Sequence, residues 1–520
     1  MQRAFLVFFS LIFFLCAKAQ QGYVSLNRLV LIKEDAALNE LTNTSHTALK
    51  PYLNSFLVKD TANLNTNNYK NKGWLSRKLF HESLLVIDSN DYRFAIDPVF
   101  NLELNKDTKD KSAQSAFYTN TRGIRITGDI GKKFSFETSF YENQSVFVNY
   151  LSDFVSKYSV VPGQGRVKPF KTNGFDYAMA SSLISFSPLK KINFTFGTGK
   201  NFIGEGYRSL LLSDNSFNYP FLKRSVLLFE NKLQYNTIHA WLQSLDRASF
   251  SNTPEALFVR KRGTFHYLSF NVSKRLQIGL FEGIIWKASS NNYAKSPNIL
   301  FYNPIIFINS IWFANDTNNN VLNGLNIKYK PLNKMAVYGQ LALDNVKKKR
   351  FAYQLGFKVF DVMGLQNLVV QAEYNVASAA TYSFNNPLQS YTHYNQALSH
   401  PLGSGFNELV GIINYSYKSF FTQLKVNYIN TKHQTGSVFQ GYDIFQSDIP
   451  VYSLSQVSAP ENLTITYQDF ELGYVINPKV NMRLSAGVTL RKYASASKNS
   501  DNQIFYFSFS SSILNRYYDF

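Results

Sequence analysis

Cysteine is almost missing from this 520-residue chain: its one thiol, Cys16, lies within the first nineteen residues. Those residues, MQRAFLVFFSLIFFLCAKA, have the layout of a secretory signal peptide. Arg3 supplies the positive start, Phe5–Leu15 the apolar core, and Ala17-Lys18-Ala19 a small-x-small cleavage site before Gln20. The core is too short for a membrane anchor, which needs about 20 apolar residues. A lipoprotein signal using Cys16 is disfavoured, because Leu15 stands where a small residue would be wanted. Cleavage would leave no thiol, which excludes a disulfide framework, a cysteine nucleophile and thiolate metal ligation.

Acidic residues are also scarce, 34 against 54 Lys and Arg, for a formal net charge of +20. Removing Arg3 and Lys18 with the leader takes this to +18. In an intracellular chain that excess would point to nucleic acid; in an exported one it points to anionic surfaces. No apolar run after residue 19 reaches the length of a membrane helix.

Aromatic residues, in contrast, are abundant: 46 Phe and 33 Tyr, with all aromatics at 16% of the chain. An exported, aromatic-rich chain without a spanning helix fits a transmembrane β-barrel, in which only alternate residues are apolar. The expected period of two is present. In Met482–Tyr493, Met482, Leu484, Ala486, Val488 and Leu490 share one face, and Arg483, Ser485, Thr489 and Arg491 the other. Stretches 366–376 and 420–431 alternate likewise, each near the ten residues a tilted strand needs to cross hydrocarbon.

Eighteen such strands are expected, at 92–105, 116–130, 134–142, 178–187, 191–198, 225–235, 237–246, 264–273, 276–286, 323–330, 334–344, 350–360, 366–376, 407–417, 420–431, 463–476, 480–493 and 503–520. Short connections such as Gly131-Lys132-Lys133, Pro331-Leu332-Asn333 and Asn477-Pro478-Lys479 alternate with long ones at 143–177, 199–224, 287–322, 377–406 and 432–462. That asymmetry is the one expected of periplasmic turns and external loops. A soluble sandwich or propeller would have shorter strands and more even loops. The terminal Phe520 is expected to belong to the closing strand. Residues 20–91 lack strand alternation and are expected to form a small periplasmic or lumenal segment. Helical spacing marks 48–57 and Trp74–Leu79, with an Asn-rich linker at 59–73.

The stretch GTGKNFIGEGYRSLLLSDNSFNYPFLK (Gly197–Lys223) has the look of a phosphate-binding loop. It is not one: Gly199-Lys200 is followed by Asn201, and the two glycine pairs are too far apart for a dinucleotide fingerprint. As an external loop its glycines permit an inward fold. Lys200 and Arg208, with Tyr207 beside them, are expected to contact an anion at the mouth. Arg166, Lys168 and Lys171 in Val160–Tyr177, and Arg260 and Arg262 further on, share this basic and aromatic texture. Such residues suit acidic sugars, by charge pairing and stacking, and equally the phosphates of lipopolysaccharide. A solvated loop with no ligand is the plainer alternative.

No catalytic or metal site is expected. The seven histidines (46, 81, 239, 266, 393, 400, 433) show no HExxH or ligand-pair spacing, and GxSxG is missing. Glu82, Glu142, Glu205 and Glu408 cannot be paired by sequence, so a two-carboxylate glycosidase stays open only in principle. His239, beside Trp241, reads as a wall residue. No cofactor is expected.

The segment FGTGKNFIGEGYRSLLLSDNSFNYPFLK resembles the signature of the Wzi-like capsule-assembly outer-membrane family, most nearly its Bacteroidetes gliding-motility (RemB) branch. RGIRITGDIGKKFSFETSFYENQ, VVPGQGRVKPFKTNGFDYA, NPIIF (Asn303–Phe307) and GLNIKYKPLNKMAVYGQLALD extend the likeness over most of residues 116–430. The resemblance implies an eighteen-stranded outer-membrane barrel with inward-folding loops. It also implies a non-enzymatic role in surface polysaccharide attachment or cell-surface motility, with motility-machinery proteins as further partners. A diffusion porin and an outer-membrane hydrolase are the alternatives.

Overall fold

The computed structural model describes residues 22–57, 71–110, 116–247, 258–287, 289–290, 293–294, 297–313, 318–345, 347–433, 440–448, 459–512 and 515–520. The expected leader and cleavage site lie outside these residues, as does most of the expected Asn-rich linker.

Among the described residues, eighteen antiparallel strands form a closed barrel. The first wall strand, Tyr92–Asp107, pairs with the last, Asn499–Ser510, through Asn101–Asp107 and Ile504–Ser510. Closure is what allows strands to cross a membrane, since every ladder group then finds a partner away from water. The alternation read from Met482–Tyr493 holds. Leu484 and Leu490 are exposed on the outer face, while Ser485, Thr489 and Arg491 are buried on the inner one. Connections at one end are turns such as 131–133 and 478–481, and those at the other run up to 287–319. The turn end is accordingly the periplasmic one.

Some elements differ from the sequence reading for local reasons. The expected strand 225–235 runs through a turn: Tyr219–Leu228 ends where Phe229, Glu230 and Asn231 all take left-handed conformations, and Leu233–Arg247 follows. The expected helical stretch at 48–57 is instead a two-residue strand, Leu49–Lys50, paired with Phe202–Ile203, followed by a 3-10 turn at Asn54–Phe56. The helix of that region is Arg28–Leu38, capped by the Asn27 side chain on the amides of Leu29 and Val30. The expected turn of helix at 74–79 is present as Trp74–Phe80.

The largest departure is at the C-terminus. Strand 503–520 does not exist as such: the wall strand ends at Ser510, and residues 515–520 run up inside the lumen. At the exit, Ser511 closes the seam, its amide donating to Phe100 O and its hydroxyl to Pro98 O. Pro98 thus sits at a sheet position where its missing N–H costs no ladder bond. Below it the short strand Leu85–Asp88 pairs with Arg93–Ile96 and completes the wall.

The lumen is filled from four directions. Residues 22–57 enter at the periplasmic end. The loop after Ile192–Gly199 and the loop 378–405 fold in from the other end. The C-terminal tail rises between them. Leu210, Leu211 and Leu212 form an apolar core with wall residues Phe221, Phe265 and Phe281 and with Tyr382 and Tyr391.

Candidate functional site

The glycine-rich stretch is the centre of this plug. Gly206 lets the chain pass against the wall: a Cβ there would stand 2.5 Å from Glu373 Oε2. Through that approach Glu373 accepts the amides of Tyr207 and Arg208, each at 2.8 Å. The Arg208 side chain is then fixed by two carboxylates. Its Nη2 donates to Glu408 Oε1 at 2.7 Å and lies 3.2 Å from Asp519 Oδ1 on the tail. His400 sits 2.6 Å from Glu408, and Lys425 3.2 Å from Asp519. The Tyr207 hydroxyl donates to Asp519 at 2.6 Å. Arg28, from the N-terminal helix, covers the Tyr207 ring at 3.8 Å and donates to the Tyr517 hydroxyl, which donates to Asp214. One network therefore joins the N-terminal segment, the inward loop, the wall and the tail.

Burial by itself would lower the affinity of Arg208 for its proton; Asp519 and Glu408 overcome this and raise it well above the ordinary value. Burial would likewise raise Asp519, but Arg208 and Lys425 hold it below the usual carboxylate range. Arg208 and Lys425 are each paired with a carboxylate, which suits a lock between segments.

Lys200 and Arg208 are thus not outward-facing anion contacts. Lys200 is buried, donating to Gly163 O at 2.6 Å and Asp214 O at 2.9 Å, and burial lowers its pKa to about 8. Tyr207, Lys200 and Arg208 are brought together in the lumen, facing protein. The sequence could show that this loop turns inward but not which partners, 165 to 312 residues away, would meet it.

The other basic residues stay at the surface in two groups. Arg166 is exposed and lies over the Phe258 ring at 5.5 Å, with Arg247 on the same ring at 5.1 Å. Lys168 and Lys171 are exposed on the adjoining hairpin, Lys171 over Phe170 at 5.2 Å. Arg260 and Arg262 instead face outward from the wall strand Phe258–Asn271, with Arg262 opposite both Trp241 and Trp286. Lys261, between them, points inward to Ser390 O and Thr392 O. Arg247 and Phe258 were not singled out from the sequence; an arginine and an aromatic flanking a loop carry no signal until the strands pair.

Beside the tail lies a cavity of about 290 Å³, lined among others by Glu103, Lys425, Asp469, Arg483, Ser485 and Tyr506. Among the described residues no group of three or more His, Cys, Asp or Glu is placed to hold a metal ion.

The N-terminal segment is docked by a histidine. His46 Nε2 donates to Asn231 O at 2.9 Å, and Nδ1 accepts from Ser269 at 2.8 Å. Burial depresses its pKa from 6.5 to about 4. A depressed histidine leaves docking unchanged above pH 6.5, where both states are neutral. Between 6.5 and 4 the released segment takes up a proton that the docked one refuses, so docking weakens, by at most about 3 kcal/mol. Protease cleavage within residues 22–57 should therefore rise as pH falls through that window, and His46→Gln should abolish the step.

No family model matches the chain, and no curated protein matches it. Several solved structures align with it. Wzi of Escherichia coli, described as an outer-membrane protein involved in group 1 capsule assembly and a carbohydrate-binding β-barrel, aligns at TM-score 0.49 and 12% identity, covering 80% of this chain and 85% of that one. OpdQ of Pseudomonas aeruginosa aligns at TM-score 0.42 and 9% identity over 81% of this chain and 97% of that one. OccAB2 of Acinetobacter baumannii gives 0.43 and 9% over 80% and 97%. All three alignments lie below 25% identity and below a TM-score of 0.5, and nothing about this chain follows from them.

Proposed function

We propose that this non-enzymatic barrel holds acidic cell-surface polysaccharide at its external mouth, as the Wzi-like resemblance implies, serving capsule attachment or the cell-surface motility of the gliding branch. The observation that carries this reading is the exposed cluster of Arg166 and Arg247 on Phe258, with Lys168 and Lys171 beside it, above a lumen occupied by the chain's own segments. Cations over aromatic rings offer both charge pairing and a stacking face to a uronic-acid chain. Arg260 and Arg262, facing outward, suit lipopolysaccharide phosphates. Lys200, Tyr207 and Arg208 act indirectly, by holding the loop.

Binding of polygalacturonate to the folded barrel should weaken at least tenfold in Arg166→Ala/Lys168→Ala/Lys171→Ala, and should weaken with salt in the parent. Removing Lys347 and Lys348, in the exposed stretch 347–349, should change it little. Equal effects in the two variants would sink the reading. A deletion strain scored for capsule retention and for gliding separates the two roles.

A diffusion porin is the second reading, favoured by the porin-like fold and by the cavity beside the tail. Steady conductance of the parent protein in planar bilayers, without polysaccharide binding, would put that reading first.

A further inference from the structure

One patch of the outer wall has the wrong chemistry for a lipid-facing surface. Phe265, Tyr267 and Phe281 point into the lumenal core, so their neighbours His266 and Glu282 point outward. Following the strand register around the wall gives a row of outward positions: Arg224, Thr237, His266, Glu282 and Asn323. Two residues nearer the periplasmic turns, the next row is Tyr235, Leu268, Leu280, Leu325 and Leu341, ordinary lipid-belt composition. A carboxylate and a histidine on such a face would be costly against hydrocarbon.

They do not meet it. His266 and Glu282 are fully buried, and what buries them is the segment 297–313, which leaves the external end and lies down over the outside of the barrel. Glu282 holds it with three acceptor contacts: the Phe307 amide at 3.0 Å, the Ser310 amide at 2.7 Å and the Ser310 hydroxyl at 2.5 Å. The Ser310 hydroxyl also lies 2.8 Å from Asn323 Oδ1. Tyr235 donates to Pro304 O at 2.6 Å. Phe307 is held in a left-handed conformation, φ 69°, unusual for a bulky residue, at the point where its amide meets Glu282. Phe301 packs on Trp286 and Ile284.

The other side of the segment is apolar and uncovered. Ile299 is 82% exposed, Ile311 79% and Trp312 73%, with Tyr302, Ile305 and Ile308 adding to the same surface. Residues 298–313, NILFYNPIIFINSIWF, contain no charged side chain. A water-facing external loop has no use for such a composition.

We infer that segment 297–313 is a membrane-embedded flap: its uncovered face is solvated by lipid acyl chains, and it converts a polar strip of wall into lipid-compatible surface. The occupant follows from continuity, since the flap adjoins the leucine row already facing lipid, and from the lack of charge. The inference needs only the barrel, whatever ligand the mouth takes.

The test uses the full chain in a Cys16→Ser background, so that Ile311→Cys carries the sole thiol. The thiol is labelled with an NBD fluorophore and the protein folded into phosphatidylcholine vesicles. Quenching by a nitroxide on the lipid chains should exceed quenching by aqueous iodide at least fivefold; Lys347→Cys, in the exposed stretch 347–349, should show the reverse order. Iodide quenching at Ile311→Cys equal to that at Lys347→Cys would overturn the inference, because the segment would then stand in water. Protection from both quenchers, with fluorophore self-quenching between labelled molecules, would overturn it in favour of a second copy of the chain. Ile299→Cys repeats the measurement on the other edge of the flap, so that disturbance by one label cannot decide the result.

Discussion

Arg208→Ala should cost the folded barrel about 3–5 kcal/mol, the range for removing one partner of a buried ion pair. Arg208 is almost wholly inaccessible, as are Glu408 and Asp519, and it is bonded to both. Its loss strands two carboxylates: Lys425 still answers Asp519, but beside Glu408 stands His400, whose pKa burial lowers. Asp519 is held ionised against burial by Arg208 and Lys425 together, so losing Arg208 favours its protonation and loosens the tail. The measurement is the urea midpoint of barrel unfolding in detergent, with protease sensitivity of the tail as a second readout. Arg166→Ala, on the exposed mouth cluster, is the comparison and should stay within about 0.5 kcal/mol. Adding Glu408→Gln to Arg208→Ala should recover part of the loss, because it removes one stranded charge. If Arg208→Ala behaves like Arg166→Ala, the network does not lock the plug.

These outcomes also mark where sequence reading reached its limit. The wall was legible because a two-residue period is a local property: Leu484 and Ser485 declare their faces from their immediate neighbours. Turns such as Asn477-Pro478-Lys479 punctuate it just as locally. The plug was not legible. Arg208 looks the same in sequence whether it faces solvent or Glu408, 200 residues away. Residues 511–520 carry enough aromatics to pass for a strand, and only Ser511 on Phe100 and Pro98 shows that the chain leaves the wall there. The outward His266 and Glu282 break the lipid-face pattern for a reason that lies in the connection after the Glu282 strand, whose contacts come 25 and 28 residues further on. The helix Arg28–Leu38 was missed because its charged and apolar residues do not separate into faces strongly enough to show a period.

The wall itself supplies the second large effect. Leu484 is 37% exposed on the outer face, paired with Tyr474 on one side and Phe509 on the other. Ser485, one residue on, is buried on the inner face and lines the cavity beside the tail. Leu484→Arg should cost about 1–2 kcal/mol, because Leu484 lies three residues from the periplasmic turn, towards the edge of the apolar band, where the guanidinium must still deform the bilayer or reach for its surface. Ser485→Arg adds the same side chain with the opposite surroundings. The cavity offers space, and Glu103, Asp469 and Glu471 line it as counter-charges. Its cost should therefore be clearly smaller, limited to crowding against the tail. Both variants are measured by reversible folding into lipid vesicles, where only the outer-face substitution should also depend on chain length of the lipid. A larger cost at Ser485 than at Leu484 would mean that the faces are reversed. The reading of every outward residue, the polar row beneath the flap included, would then have to be reversed with them.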